Sequence, residues 1–267
     1  MAGVLGFFDL LGAHWVFSIS KGSGADFVSV VFQDESFMVW NKQAGAPVFP
    51  FHRNKQGASL LSELVKRFPE QKEHDWCTGF EGGIAHRLDV VTSGAVWIAK
   101  EPQFLDDLRT LFSQKKLTKE YFFLTRKKVS WTRHKVSASI AHDRKKRSRM
   151  VVQRGKNTPH RGKWYPAQTE FLFLDHVDEG ALWKARMSTG VMHQIRIHAA
   201  FAGIALAGDR LYGGGEALDN WKVPFALHHC LMTCKQLPRV LAPLPEYWPS
   251  QAHRCLHQLL NKESSSH

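Results

Sequence analysis

The segment from Gly83 to Lys100, GIAHRLDVVTSGAVWIAK, constrains this chain more than any other. A compact polar block, His86-Arg87-Leu88-Asp89, is followed by Thr92-Ser93-Gly94 and then by the apolar run Ala95–Ala99. That run reads as a buried strand. Threonine, serine and glycine between the two shape a loop, and Gly94 allows close backbone approach. Asp89 is therefore expected at a turn beside a strand, exposed in a cleft. For an isolated aspartate, an ordinary turn with a satisfied carboxylate is the commoner outcome.

Strand and helix patterns interleave along the rest of the chain. Phe27–Phe32 and Phe37–Asn41 are β-branched and aromatic runs separated by Gln33-Asp34-Glu35-Ser36, which predicts a hairpin. Gly57–Phe68, Pro102–Lys115 and Val191–Ala202 carry helical spacing, the second opening on a proline and the third closing on Gly203. Ala95–Ala99, Tyr121–Thr125, Thr169–Leu174 and Ala181–Met187 read as strands. Hairpins among the helices predict an α+β fold rather than a doubly wound sheet. The expected organisation is an extension over residues 1–28, one domain over 29–260 and a polar tail over 261–267.

The chain carries 36 lysines and arginines against 24 acids, a net charge of +12, which favours a polyanionic partner. The basic stretch Arg144–Lys163 holds nine lysines or arginines and no acid, and reads as a flexible arm for phosphates or a solvated hairpin. The apolar opening residues lack a basic leader and are interrupted by Asp9 and His14, so neither a signal peptide nor a membrane span is expected, and a cytoplasmic protein follows by default. Cys230 and Cys234, spaced like one helical turn and beside His228 and His229, fit buried free thiols better than a zinc site.

The block His86-Arg87-Leu88-Asp89, two residues, then Thr92-Ser93-Gly94 resembles the signature of the RluA-type pseudouridine synthases at every position. Other segments match in order: Val30–Pro50 with Asn41-Lys42 before Gly45, Lys119-Glu120-Tyr121, and Thr189–Gly213 with its His-Gln-Ile-Arg-x-His and Gly-Asp elements. Ala226–Cys234 is weakly similar to the closing segment, and the resemblance covers residues 29–238. The chain departs from the family at Gln43 and Ala205, where proline is usual, and at Val191, where arginine is usual.

The resemblance implies a mixed, mostly antiparallel sheet flanked by helices and loops around a basic cleft. It implies an isomerase that converts a uridine in rRNA or tRNA to pseudouridine, without cofactor or metal; the stretch Met1–Asp26 before the first matched strand reads as too short for the S4-type domain that members of the family often carry. Asp89 is implied as nucleophile, Tyr121 as the aromatic wall for the base, and Arg196 as the cation that keeps the carboxylate charged. Lys42, His86, Arg87, Lys119 and His193 are implied RNA contacts, with Arg87 suited to filling the gap left by a flipped base. By residue type alone, His86, His193 and His198 fit packing and hydrogen bonding better than catalysis. A monomer acting on structured RNA is expected. The rivals are an RNA-binding protein that keeps the fold without catalysis, and a metal-dependent hydrolase using the histidines.

Overall fold

The two apolar runs flanking Gln33–Ser36 form the hairpin that their spacing predicts. In the computed structural model, β1 (Val28–Gln33) and β2 (Phe37–Lys42) pair antiparallel. The Asp34 carboxylate closes the turn by accepting from the backbone N–H groups of Ser36 and Phe37 at 2.8 and 2.9 Å. The structure describes residues 27–51, 57–127, 129–177, 180–215 and 225–264. The expected N-terminal extension lies outside these, except for its last two residues.

Helix α1 (Leu60–Arg67) begins later than the periodicity predicts, because Ser59 caps it. The Ser59 hydroxyl accepts from Ser62 N–H at 3.0 Å, and the Ser62 hydroxyl accepts from Ser59 N–H at 2.8 Å. Strand β3 (Ser93–Ala99) is buried throughout, and α2 (Pro102–Ser113) opens on Pro102, whose missing N–H costs nothing there. Then follow β4 (Thr118–Thr125), β5 (Arg133–Ser137), β6 (Ile140–His142), β7 (Met150–Val152), β8 (Arg161–Tyr165), β9 (Gln168–Val177) and β10 (Gly180–Met187). Helix α3 (Gln194–Phe201), β11 (Leu227–Thr233), β12 (Val240–Leu241) and α4 (Ser250–Ser264) complete the order.

The described residues fall into two compact units, each built from discontinuous chain: those within Met1–Lys119 and His229–Pro243, and those within Glu120–His228 and Leu244–His267. In the first, the strand order is β1-β2-β3-β11, with β12 beside β11. Its core gathers Phe37, Val39, Trp97, Leu105, Leu108 and Met232, and the Phe37 ring stacks on Trp97 at 4.8 Å. In the second, the order is β4-β10-β9-β5, and β7-β6-β8 form a separate three-stranded sheet. The pairs β2–β3, β5–β9, β9–β10, β6–β7 and β6–β8 are all antiparallel. The α+β architecture is the one expected.

Several expectations change. The basic stretch 144–163 is not an unstructured arm: it contributes β7 and the first residues of β8, since Met150 and Val152 turn into a small apolar cluster with Ile140, Ile197 and Tyr212. Cys230 lies on β11 and Cys234 just beyond it, so their spacing is not a helical turn, and Cys230 is a buried free thiol. The tail expected to begin at residue 261 continues α4 as far as Ser264. Among the described residues, no three His, Cys, Asp or Glu side chains are grouped to hold a metal ion, and no helix is long and apolar enough to cross a membrane.

Candidate active site

Asp89 belongs to the first unit, where the chain leading to it is bonded to β3. Ile84 bridges Ile98, and Ala85 N–H donates to Trp97 O at 2.9 Å. Trp97 N–H donates at 3.2 Å to His86 Nε2, which must therefore carry a lone pair. Burial holds the His86 ring well below its ordinary pKa, and nearby His229 and Lys119 push the same way. His229 Nδ1 in turn lies 2.7 Å from Ala95 O, on the neighbouring strand. Gly94 makes that neighbourhood possible: its φ is +117°, and a Cβ there would run into the backbone of His229.

The Asp89 turn is held from the other side by Lys42. This side chain is fully buried, and its ammonium donates to the carbonyls of Gln43 and Ala46 at 2.9 and 2.8 Å, with Val90 O at 3.4 Å. Val90 O also accepts from Gly45 N–H at 2.7 Å, and Asp89 O from Thr92 N–H at 3.0 Å. Burial pushes Lys42 down to about 8, while the Asp89 carboxylate pulls it back up. Lys42 thus clamps two loops and places a positive charge within electrostatic reach of Asp89, which itself is half-buried. The hydrogen-bond partners of Lys42 are backbone carbonyls of those loops. Lys119 is also buried, pushed down to about 8 by desolvation, with its amine 4.6 Å from the Phe112 ring centre. Of the five implied RNA contacts, Arg87 is the one that stands exposed.

The second unit carries Tyr121 and Arg196. Tyr121 lies on β4 and is 6% exposed. Arg196, on α3, donates through Nε and Nη2 to the two carboxylate oxygens of Asp209 at 2.8 and 2.9 Å. Both side chains are buried, and the guanidinium also lies 5.3 and 5.0 Å from the rings of Tyr212 and Phe225. Such a two-pronged pair fixes the plane of the guanidinium. Sequence reasoning misses Asp209, although it stands in the Gly208-Asp209 element of the matched segment.

Why the helix carries this motif is clear from its polar neighbours. The predicted helix from Val191 starts only at Gln194, because His193 adopts a left-handed conformation with φ 57°. There His193 Nδ1 lies 2.9 Å from the Tyr212 hydroxyl, which also accepts from Met150 N–H at 2.8 Å. Gln194 donates to Gln168 O and Thr169 Oγ1 at 2.9 and 3.0 Å and accepts from Thr189 Oγ1 and Val191 N–H at 2.9 and 3.2 Å. His198 closes the network, with Nδ1 2.9 Å from Thr169 Oγ1 and Nε2 3.0 Å from Ala138 O. A carbonyl can only accept, so Nε2 carries the proton and Nδ1 accepts from Thr169. Val191, where the family has arginine, packs instead against the Ile197 and Tyr212 cluster.

Burial pushes His198 down to about 4. The unfolded chain then binds the extra proton between pH ~6.5 and ~4, so stability falls as pH drops through that window. The expected loss is about 2–3 kcal/mol between pH 7 and 4.5. Urea unfolding at the two pH values should show it, and His198→Gln, which does not titrate, should remove that part of the acid sensitivity.

The sequence and its α+β fold are similar to those of known proteins. The family model for RNA pseudouridylate synthase matches residues 36–201, more than half of the chain, and the chain belongs to that family. It is 30% identical over 200 residues to an uncharacterised RNA pseudouridine synthase, YlyB, of Bacillus subtilis (72% of this chain, 60% of that protein). It is 32% identical over 187 residues to ribosomal large subunit pseudouridine synthase D of Nitrosomonas europaea (70% of this chain, 50% of that protein). The chain thus spans between half and three fifths of the length of these two relatives. The structure of human RNA pseudouridylate synthase domain containing 1 shares the fold, with a TM-score of 0.68 at 22% identity over 91% of this chain and 97% of that one.

Proposed function

We propose that this chain is an RNA pseudouridine synthase that isomerises a uridine of rRNA or tRNA, with Asp89 as nucleophile. The observation that carries the reading is the complete His86–Gly94 signature, whose aspartate stands on a turn held by Lys42, Gly45 and Thr92. The reaction breaks the bond between the sugar C1′ and the base N1, turns the base, and joins C1′ to C5. The C5 proton leaves and N1 takes one, so atoms balance without redox change or added group. The Asp89 carboxylate serves this chemistry either by attacking C1′ or by assisting at the base. Arg196, oriented by Asp209, supplies the cation that keeps the carboxylate charged. Tyr121 supplies the ring for the uracil, and its hydroxyl helps remove the C5 proton. Exposed Arg87 fills the gap left by the flipped nucleotide.

A ribosomal RNA substrate fits the relative named for the large ribosomal subunit, and the chain is expected to act as a monomer in the cytoplasm. The rival is an RNA-binding protein without catalysis. Tritium release from C5-labelled uridine RNA separates the two, since binding alone leaves the C5–H bond intact. Tyr121→Phe is expected to bind RNA normally but release tritium more slowly; a wild-type rate would leave Tyr121 as a stacking wall only.

RNA affinity is expected to fall steeply with salt, given the net charge of +12. Replacing Arg144, Lys145, Lys146 and Arg147 with alanine should flatten the slope of log K against log salt by ~0.7–0.9 for each phosphate no longer neutralised. An unchanged slope would show that this cluster does not touch the backbone.

A further inference from the structure

The second unit contains a cleft beside the basic cluster Arg144–Arg147. It lies where Ile197, Ala200 and Phe201 of α3 meet strand β7 and the loops on either side of that strand, and its volume is about 610 Å3. Small-ligand sites run from ~300 to ~1,000 Å3. One wall is apolar, formed by Val152, Pro159, Ile197 and Phe201. Phe201 is 43% exposed, so part of its ring is open to a ligand.

The lining is also cationic. Arg144, Lys145, Arg149 and Arg154 line the cleft together with a single acid, Asp143. Asp143 offsets one charge of the four. Its Oδ1 accepts from the backbone N–H groups of Lys145 and Lys146 at 2.7 and 3.0 Å, which shapes the loop. Its Oδ2 stands 4.0 Å from Arg149 Nε, beyond hydrogen-bond range. Arg149 Nε is buried and has no hydrogen-bond partner among the described residues. Arg154 lies over the Phe201 ring, with its guanidinium carbon 5.7 Å from the ring centre. Tyr212 also lines the cleft, and its ring is 5.3 Å from the Arg196 guanidinium.

We propose that this cleft is a second nucleotide subsite, which takes an unpaired nucleotide of the substrate RNA with its base on Phe201 and Arg154 and its phosphate at Arg149 and Arg144. The inference rests on the reading of the chain as an RNA-modifying enzyme. Flat aromatic and guanidinium faces take a base without regard to its identity, and the cations take the phosphate. An acidic peptide would satisfy the cations but leave the Phe201 face uncovered. A duplex would satisfy them too, but its stacked bases cannot reach the apolar wall.

The test uses the full chain and two probes: a fluorescein-labelled RNA hairpin with an unpaired loop, and a duplex of the same length. Phe201→Ala is expected to weaken hairpin binding about tenfold without changing the salt slope, and to leave duplex binding alone. Arg149→Gln with Arg154→Gln should weaken hairpin binding and lower the slope by ~0.7 for each single-strand phosphate no longer neutralised. Ultraviolet crosslinking of a 4-thiouridine hairpin to the wild-type chain should label the peptide that contains Phe201 or Tyr212. Unchanged hairpin affinity and slope in both variants, or crosslinks confined to other peptides, would overturn the subsite while the wild type still released tritium. Equal losses for hairpin and duplex would overturn it in favour of plain phosphate binding. A wild-type chain that neither binds the hairpin nor releases tritium would overturn both the subsite and the enzymatic reading.

Discussion

Asp89→Asn is expected to lower the rate of pseudouridine formation by at least about 10⁴-fold, as removal of a nucleophile or its essential partner does elsewhere. The change swaps one carboxylate oxygen for an amide nitrogen and leaves the volume almost unaltered. The bonds that shape this turn are made by the backbone and by Lys42, not only by the Asp89 side chain: Thr92 N–H to Asp89 O at 3.0 Å, Gly45 N–H to Val90 O at 2.7 Å, and the Lys42 ammonium to Ala46 O at 2.8 Å. The turn should therefore survive, with circular dichroism and melting temperature close to wild type. RNA binding should survive as well. A purified, folded Asp89→Asn chain that forms pseudouridine at the wild-type rate would remove Asp89 from the mechanism.

Asp209→Ala should have the second largest effect, and it acts on both stability and activity. Arg196 and Asp209 are buried, 8% and 1% exposed, and joined by bonds of 2.8 and 2.9 Å. Removing the carboxylate takes the two-pronged partner from a buried guanidinium, which costs about 3–5 kcal/mol where one partner of such a pair is removed. The Leu211 N–H also loses its 3.2 Å bond to Asp209 Oδ1, so the turn after Gly208 loosens. Activity should fall further than the folded fraction does, because the plane of Arg196 is no longer fixed. Arg196→Lys should not substitute, since an ammonium cannot make the parallel pair of bonds. Urea unfolding and single-turnover rates on the folded fraction measure the two effects separately. A stable Asp209→Ala chain with wild-type turnover would show that the pair is dispensable.

How much of this is legible in the sequence differs by element. Apolar periodicity predicts the β1–β2 hairpin, α2 and the long strands, because their buried faces are long enough to repeat. Local chemistry moves the ends: the Ser59 cap shortens α1, and the left-handed His193 delays α3. Strand β7 is only three residues long between charged neighbours, too short for a period to show, so the basic stretch reads as an arm. At the site, the signature points to Asp89, and the matched motif to Arg196 and Tyr121. Their partners stay hidden because they come from far along the chain or from backbone. Asp209 pairs with Arg196 across a turn, and Lys42 is consumed by three carbonyls that no residue pattern reveals. A lysine in sequence reads as a surface charge; only its burial shows that it works as a clamp.

The measurement closest to the central claim uses RNA from cells that lack this chain, grown with uridine tritiated at C5 and then incubated with the purified wild-type protein. Isomerisation must expel the C5 hydrogen, so the account predicts tritium in water, matched by new pseudouridine at discrete positions of rRNA or tRNA. RNA that is bound by the folded chain but yields neither tritium nor pseudouridine would contradict it.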